Sequence, residues 1–148
     1  MKIKQKTDSI QNNETEKASI TTWLVQKNNV EIKEPQNGDQ ILTVLYDMKS
    51  KDREKPKWQD IAKQNTHIKR YWSQWDRILL QDEGLYRKWY ITNTEDAVLQ
   101  LMVPQIWQKE ILELLHHSPM SGHLGINMAI ARVQQRLYWL DYKLDITK

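Results

Sequence analysis

His116-His117-Ser118-Pro119-Met120-Ser121-Gly122-His123-Leu124-Gly125 decides how this chain reads. The stretch sets imidazoles on both sides of a bend carrying Pro119 and Gly122, residue types that favour turns. Two imidazoles converging across such a bend are half of a tetrahedral zinc site, which takes four N or S donors. The 148-residue sequence contains no cysteine. Neither thiolate zinc ligation nor a disulfide can therefore come from its own residues. Spacing alone leaves three readings open: a complete metal module, a cut-off one, or a polar helical turn that happens to carry histidines. His117 could stand in for His116 as the first donor.

Working outward, Ile126, Ala129, Ile130, Val133 and Leu137 form an apolar stripe at helical spacing, closed by Tyr138-Trp139. A helix starting near Ile126 is expected, with Gly122 or Gly125 breaking the chain before it. Asp141 could cap one more helix, although the sequence stops at Lys148, too soon for that helix to be useful. On the other side, Pro104 suits the first turn of a helix. That helix is predicted to run to about His116, with Trp107, Ile111, Leu114 and Leu115 facing a core. Upstream, Arg77–Leu80 and Leu85–Ile91 flank a turn containing Gly84, and Val98–Val103 is a third apolar run. These predict a small three-stranded antiparallel meander.

Two helices are expected before the strands. Asp39 can cap the first, which carries Ile41, Leu42, Val44, Leu45 and Met48. Thr66 can cap the second, which puts Ile68, Tyr71, Trp72 and Trp75 on one face. The charged stretch Lys49–Lys57 separates them, with a short turn of helix at Trp58–Lys63. Residues 1–36 hold too little apolar area to offset the entropy of ordering them. They read as a disordered tail or linker, with a weak strand near Thr21–Gln26. The expected class is α+β: residues 1–36 a tail, 37–76 a helical linker region, and 77–148 the meander followed by a helical module.

Composition narrows the function. Lys and Arg number 22 against 19 Asp and Glu, for a net charge of +3. This mildly basic balance is a weak pointer to a polyanionic partner. Phe is absent, so seven Trp and six Tyr must supply the large apolar area. Trp72, Trp75, Trp89, Trp107 and Trp139 fit core positions better than a base-stacking platform. Lys69-Arg70, Arg87-Lys88, Arg132 and Arg136 are dispersed, as on a solvated face. Asp76, Asp82, Glu83, Glu95, Asp96 and Glu113 lack paired metal spacing, and no P-loop or nucleophile triad is present. No enzymatic activity is expected. A general-base role for His123 or His117 would need an oriented partner and a pocket. The sequence has no apolar run near ~18 residues and no secretory h-region, so an intracellular protein without a membrane span is expected.

The segment His116-x-Ser118-Pro119-x-Ser121-Gly122-His123-Leu124-Gly125, then Ala131-Arg132-Val133-x-x-Arg136-x-Tyr138-Trp139, resembles the zinc-binding N-terminal domain of retroelement integrases, most nearly those of gypsy-type long-terminal-repeat retrotransposon Pol polyproteins. Tyr71-Trp72-x-Gln74-Trp75-Asp76-Arg77-x-Leu79, Asp82-x-Gly84-Leu85-Tyr86-Arg87 and Val103-Pro104 are similar to the text preceding that module. The resemblance implies that His116 and His123 are zinc ligands, beside a Cys-x-x-Cys pair that would follow shortly after Ile146. The site is therefore expected to be incomplete here, and the sequence to be cut off within the module. His117 falls where the family usually has an acidic residue. Leu140 stands where a Pro is common, and Met128 and Ala129 where Lys-Thr is common.

What the resemblance implies is a non-catalytic fragment that supports nucleic-acid binding and assembly during DNA integration. Retroelement DNA and a second copy of the chain would be its partners, and the parent integrase would be nuclear. The alternative is a decayed or host-adopted protein-interaction module without metal.

Overall fold

The computed structural model describes residues 20, 23–24, 27, 29–51, 54–117 and 122–148, with backbone alone for 29–31 and 122–124. Seven α-helices and a four-stranded sheet are present among the described residues.

The first helix, α1 (Asn29–Gly38), corrects the expectation of a structureless segment to residue 36. Pro35 lies inside it and removes one helical hydrogen bond. Tertiary contacts hold it instead, through buried Ile32 and Gln36 one turn apart. Earlier still, Ile20 is buried, and Trp23 meets the Trp107 ring edge-on at 5.1 Å. Trp23 and Leu24 have helical backbone, so the strand expected near Thr21–Gln26 is not formed there; its other positions except Trp23 and Leu24 lie outside the described residues.

Asp39 caps α2 (Leu42–Lys51) as the sequence predicts, its Oδ1 accepting from the Ile41 and Leu42 amides at 2.9 and 3.0 Å. Its Oδ2 does something no local reading shows. It accepts from the Gln105 amide at 2.8 Å, capping α5 (Gln105–His116) with the same carboxylate. Between these two helices come α3 (Trp58–Ile61) and α4 (Thr66–Trp72). Asn65, not Thr66, is the cap of α4; its side chain accepts from the His67 amide at 2.6 Å. Ile68, Tyr71 and Trp75 are buried, Trp75 from a short 3-10 turn at Trp75–Arg77.

The sheet runs β1 (Ile78–Gln81), β2 (Gly84–Tyr90), β3 (Ala97–Met102), β4 (Leu137–Tyr138) in spatial order. The first three are antiparallel neighbours. Asp82 and Glu83 form the hairpin turn with φ of 50° and 65°, the positive pair that a tight two-residue turn between twisted strands requires. Gly84, expected in the turn, is the first residue of β2. A Cβ there would sit 3.1 Å from the Ile32 side chain and 3.2 Å from the Tyr86 ring. The glycine thus lets α1 lie close on the sheet.

The fourth strand corrects the three-stranded expectation. Leu137 and Tyr138 leave the helical stripe and pair in parallel with Leu101 and Met102. Their ladder bonds run from Leu101 N to Arg136 O at 2.7 Å and from Val103 N to Tyr138 O at 2.9 Å. The preceding helix, α6 (Gly122–Gln134), starts four residues before the expected Ile126, and neither Gly122 nor Gly125 breaks it. The last helix, α7 (Tyr142–Thr147), forms and buries Tyr142 and Ile146, so it does contribute to the core. Asp141 precedes it with φ 66° but makes no cap hydrogen bond. Arg70 takes its carboxylate instead, in a bidentate pair at 2.9 and 2.8 Å.

One core gathers residues from helices and sheet alike: Leu45, Leu85, Met102, Ile111, Val133, Leu137 and Trp139 are all almost fully enclosed. Gln36, fully enclosed like Gln100, is polar. Its amide donates to Leu85 O at 3.1 Å and Met102 O at 2.8 Å, and its Oε1 accepts from Leu85 N at 2.8 Å. The side chain fills the ladder position where β2 and β3 separate. Without it, three buried backbone groups would lose their partner.

Candidate metal centre

His116 ends α5 on an exposed turn, and His117 follows as its C-cap. The His117 ring turns back along the helix, where Nδ1–H donates to the Glu113 carbonyl at 2.8 Å. That bond orients the ring along its own helix and stabilises the helix terminus.

His116 lines two neighbouring hollows. One, of about 990 Å³, lies between the end of α1 and α5, and includes Asp39, Ile106, Leu112, Asp145 and Lys148. The other, of about 300 Å³, lies between α5, α6 and α7, and includes Leu115, Gly125, Ile126, Thr147 and Lys148. The imidazole therefore stands where the first turns of α6 and the end of α7 approach α5. The bend Ser118–Ser121 lies outside the described residues. So does the His123 side chain, whose backbone is in the first turn of α6.

The residues present do not close a zinc site. Cysteine is absent. Among the described residues no group of three or more His, Cys, Asp and Glu side chains converges as a metal would need. Two carboxylates share the larger hollow with His116, and both are engaged: Asp39 in the caps of α2 and α5, and likewise Asp145. The Asp145 Oδ2 accepts from the buried Trp139 indole at 2.9 Å, and Lys148 stands 3.8 Å from Oδ1. A tetrahedral site needs four donors.

The packing around α7 is carried by aromatic contacts and one ion pair. Trp139 is 1% exposed. Its ring meets Tyr142 at 6.1 Å, and Tyr142 in turn meets Tyr138 at 5.8 Å. Tyr71 packs on Tyr138 from α4, and burial pushes its hydroxyl pKa well up, with the Leu140 backbone partly opposing the shift through a hydrogen bond. The Arg70 fork holds the Asp141 carboxyl below the usual Asp range, chiefly through their hydrogen bonds. Trp75, Trp107 and Trp139 are core residues, whereas Trp58 is half exposed. The two contacts from α4, Tyr71 with Tyr138 and Arg70 with Asp141, were not visible in the sequence, because they join positions 67 and 71 residues apart.

A helix ending in a histidine, a second helix and a short parallel strand joined to the sheet define a small His-bearing helical module on a β-scaffold. Residues 103–148, which span α5, α6, β4 and α7, match the family model described as the integrase zinc binding domain. The matched segment begins at Val103, one residue past β3, so the three antiparallel strands lie outside it. The family implies zinc, and the donor set of this chain falls short of it. No curated protein sequence matches the chain, and no solved structure does. No helix among the described residues is long and apolar enough to cross a membrane.

Proposed function

We propose that this chain is a non-catalytic module of a gypsy-type retrotransposon integrase, supporting nucleic-acid engagement and assembly in DNA integration. One observation carries the reading: the matched segment 103–148 coincides with a folded unit, α5 to α7, that is stitched into the sheet through β4. The matching model describes a zinc-binding domain, which supports a binding rather than a catalytic role. His116 and His123 are the residues assigned to a metal, with the remaining donors supplied from outside this sequence. The functional unit is residues 77–148, and its setting is nuclear.

The test is fluorescence anisotropy with duplex and single-stranded oligonucleotides at two salt concentrations, alongside sedimentation of the free and bound protein. Salt-sensitive binding with Kd on the order of 10⁻⁵ M, together with self-association on DNA, is the expected outcome. A protein that binds neither form even at low salt would end the nucleic-acid reading.

A metal-independent protein-interaction module is the second reading. Ile106 favours it, because this α5 residue is 68% exposed on the wall of the larger hollow. Pull-down of a defined partner that Ile106→Asp abolishes, with nucleic-acid binding absent, would select it.

A further inference from the structure

A recess of about 310 Å³ lies where the end of β2 meets the C-terminal end of α6, β4 and the start of α7. Its charged lining is wholly cationic: Arg77, Arg87 and Lys143. Trp89, Tyr138 and Tyr142 supply aromatic walls. Half of these residues come from the strand region and half from the segment matched to the integrase domain.

Arg87 is the centre of the arrangement. Its guanidinium lies 4.1 Å from the Tyr138 ring centroid. Nε donates to Gln74 Oε1 at 2.8 Å and Nη1 to Gln100 Oε1 at 2.7 Å. Both amides are themselves fixed, Gln74 by donating to the Tyr138 hydroxyl at 2.8 Å and Gln100 by donating to Gln134 O at 2.6 Å. The fork is thus held rigidly by neutral partners. Nη2 makes no hydrogen bond among the described residues, and no buried side-chain polar atom there lacks one, which leaves Nη2 open to solvent.

The missing partner is a carboxylate. Ion pairs among the described residues use Lys33, Lys51, Arg70 and Lys148, and none uses Arg77, Arg87 or Lys143. Asp76, beside Arg77 in sequence, acts on Lys49. Burial holds the Arg87 pKa below its ordinary value, and the positive charge of Arg77 adds to that effect. A half-buried arginine normally has an acidic partner, because its charge is costly to desolvate. Arg87 instead lies beside two further cations, Arg77 and Lys143.

We infer that this recess binds a phosphate of single-stranded nucleic acid, with a neighbouring base laid against Trp89. The inference rests on the nucleic-acid reading above and gives it a location. Arginine's planar fork matches phosphate oxygens. Trp89 stands two residues along β2 from Arg87, on the same face of the strand. An indole beside a phosphate clamp can stack only on a base whose face is free, and a duplex hides its base faces.

The test measures anisotropy of a labelled oligothymidylate of about 12 nucleotides, a length within the usual site sizes of single-strand binders. The wild-type chain is compared with Arg77→Ala/Lys143→Ala, which removes two exposed cations of the recess. Lys63→Ala/Lys109→Ala removes equal charge elsewhere. The recess variant is expected to bind about tenfold more weakly, and the control within about twofold of wild type. Trp89→Leu is expected to weaken the oligonucleotide about tenfold while leaving pyrophosphate binding unchanged. Equal losses in the two double variants would overturn the recess and leave the nucleic-acid reading intact, as would a wild type that binds duplex but not single strands. A Trp89→Leu variant with undiminished oligonucleotide affinity would reduce the recess to a plain anion site and overturn the inference. Binding to no nucleic acid at all would overturn both readings.

Discussion

The two ends of the α5–α7 module are built on different principles. At the Trp139 end, polar groups are answered from within the chain: the indole by Asp145, Asp141 by Arg70, and the β4 backbone by β3. At the His116 end an exposed imidazole opens onto two hollows, and the carboxylates there, Asp39 and Asp145, are already engaged. The α5–α7 helices are therefore held by sheet pairing and aromatic packing at one end, while the His116 end stays open. The variants below, run from the largest effect to the smallest, probe whether stability sits at the Trp139 end.

Trp139→Ala should give the largest loss. It empties a fully enclosed site and leaves the Asp145 carboxylate without its indole donor. Chemical denaturation should show a drop of about 3–5 kcal/mol. A loss below about 1 kcal/mol would mean that the Trp139 end does not hold the module.

Gln36→Leu comes next, at about 2–4 kcal/mol. The substitution keeps roughly the same volume but strands Leu85 N–H, Leu85 C=O and Met102 C=O. Gln36→Glu separates shape from hydrogen bonding, since the carboxylate still accepts from Leu85 N but cannot donate to either carbonyl. If leucine is tolerated as well as glutamine, the contact between α1 and the sheet is not needed for the fold.

Alkaline pH attacks the same end. Burial raises the Tyr71 pKa above its ordinary value of 10.0, so the folded chain keeps a proton that the unfolded chain releases. The resulting stabilisation is complete below pH 10 and is lost as pH climbs through the folded pKa. The slope from Tyr71 alone is about 1.4 kcal/mol per pH unit above 10. Thermal midpoints between pH 8 and 11.5 should fall accordingly, and Tyr71→Phe should flatten the fall. An unchanged slope in that variant would assign alkaline unfolding to other groups. Tyr86 and Tyr142 are also raised by burial.

What the sequence made legible follows the range of the interactions. Asp39 announced its cap because the amides it serves are two and three residues away. Its second oxygen reaches Gln105, 66 residues on, and no local pattern encodes that. Gln36 sits in a polar stretch that looks solvated, and becomes a core residue only because β2 and β3 separate above it. Leu137 and Tyr138 extend a helical apolar period, and become a strand only when Leu101 and Met102 offer a ladder. The cationic recess was missed for the same reason. Arg87 looked like one of several dispersed surface charges until folding placed Arg77 and Lys143 around it. His116 was legible as a candidate because its meaning is chemical and local, although its donor partners are not supplied among the described residues.

The smallest expected effect is the sharpest on the comparison. His116→Ala should change stability by no more than about 0.5 kcal/mol, as for an exposed side chain without partners. The change should be the same in zinc and in a strong chelator. Two imidazoles without thiolates cannot supply the folding free energy that a closed zinc site gives, and the helices are already held by Trp139 and β4. The measurement is a set of thermal melts of wild type and His116→Ala, each with zinc and with chelator. A zinc-dependent rise in the wild-type midpoint that His116→Ala removes would place the metal among the forces holding this fold. The contrast between the two ends of the module would then disappear.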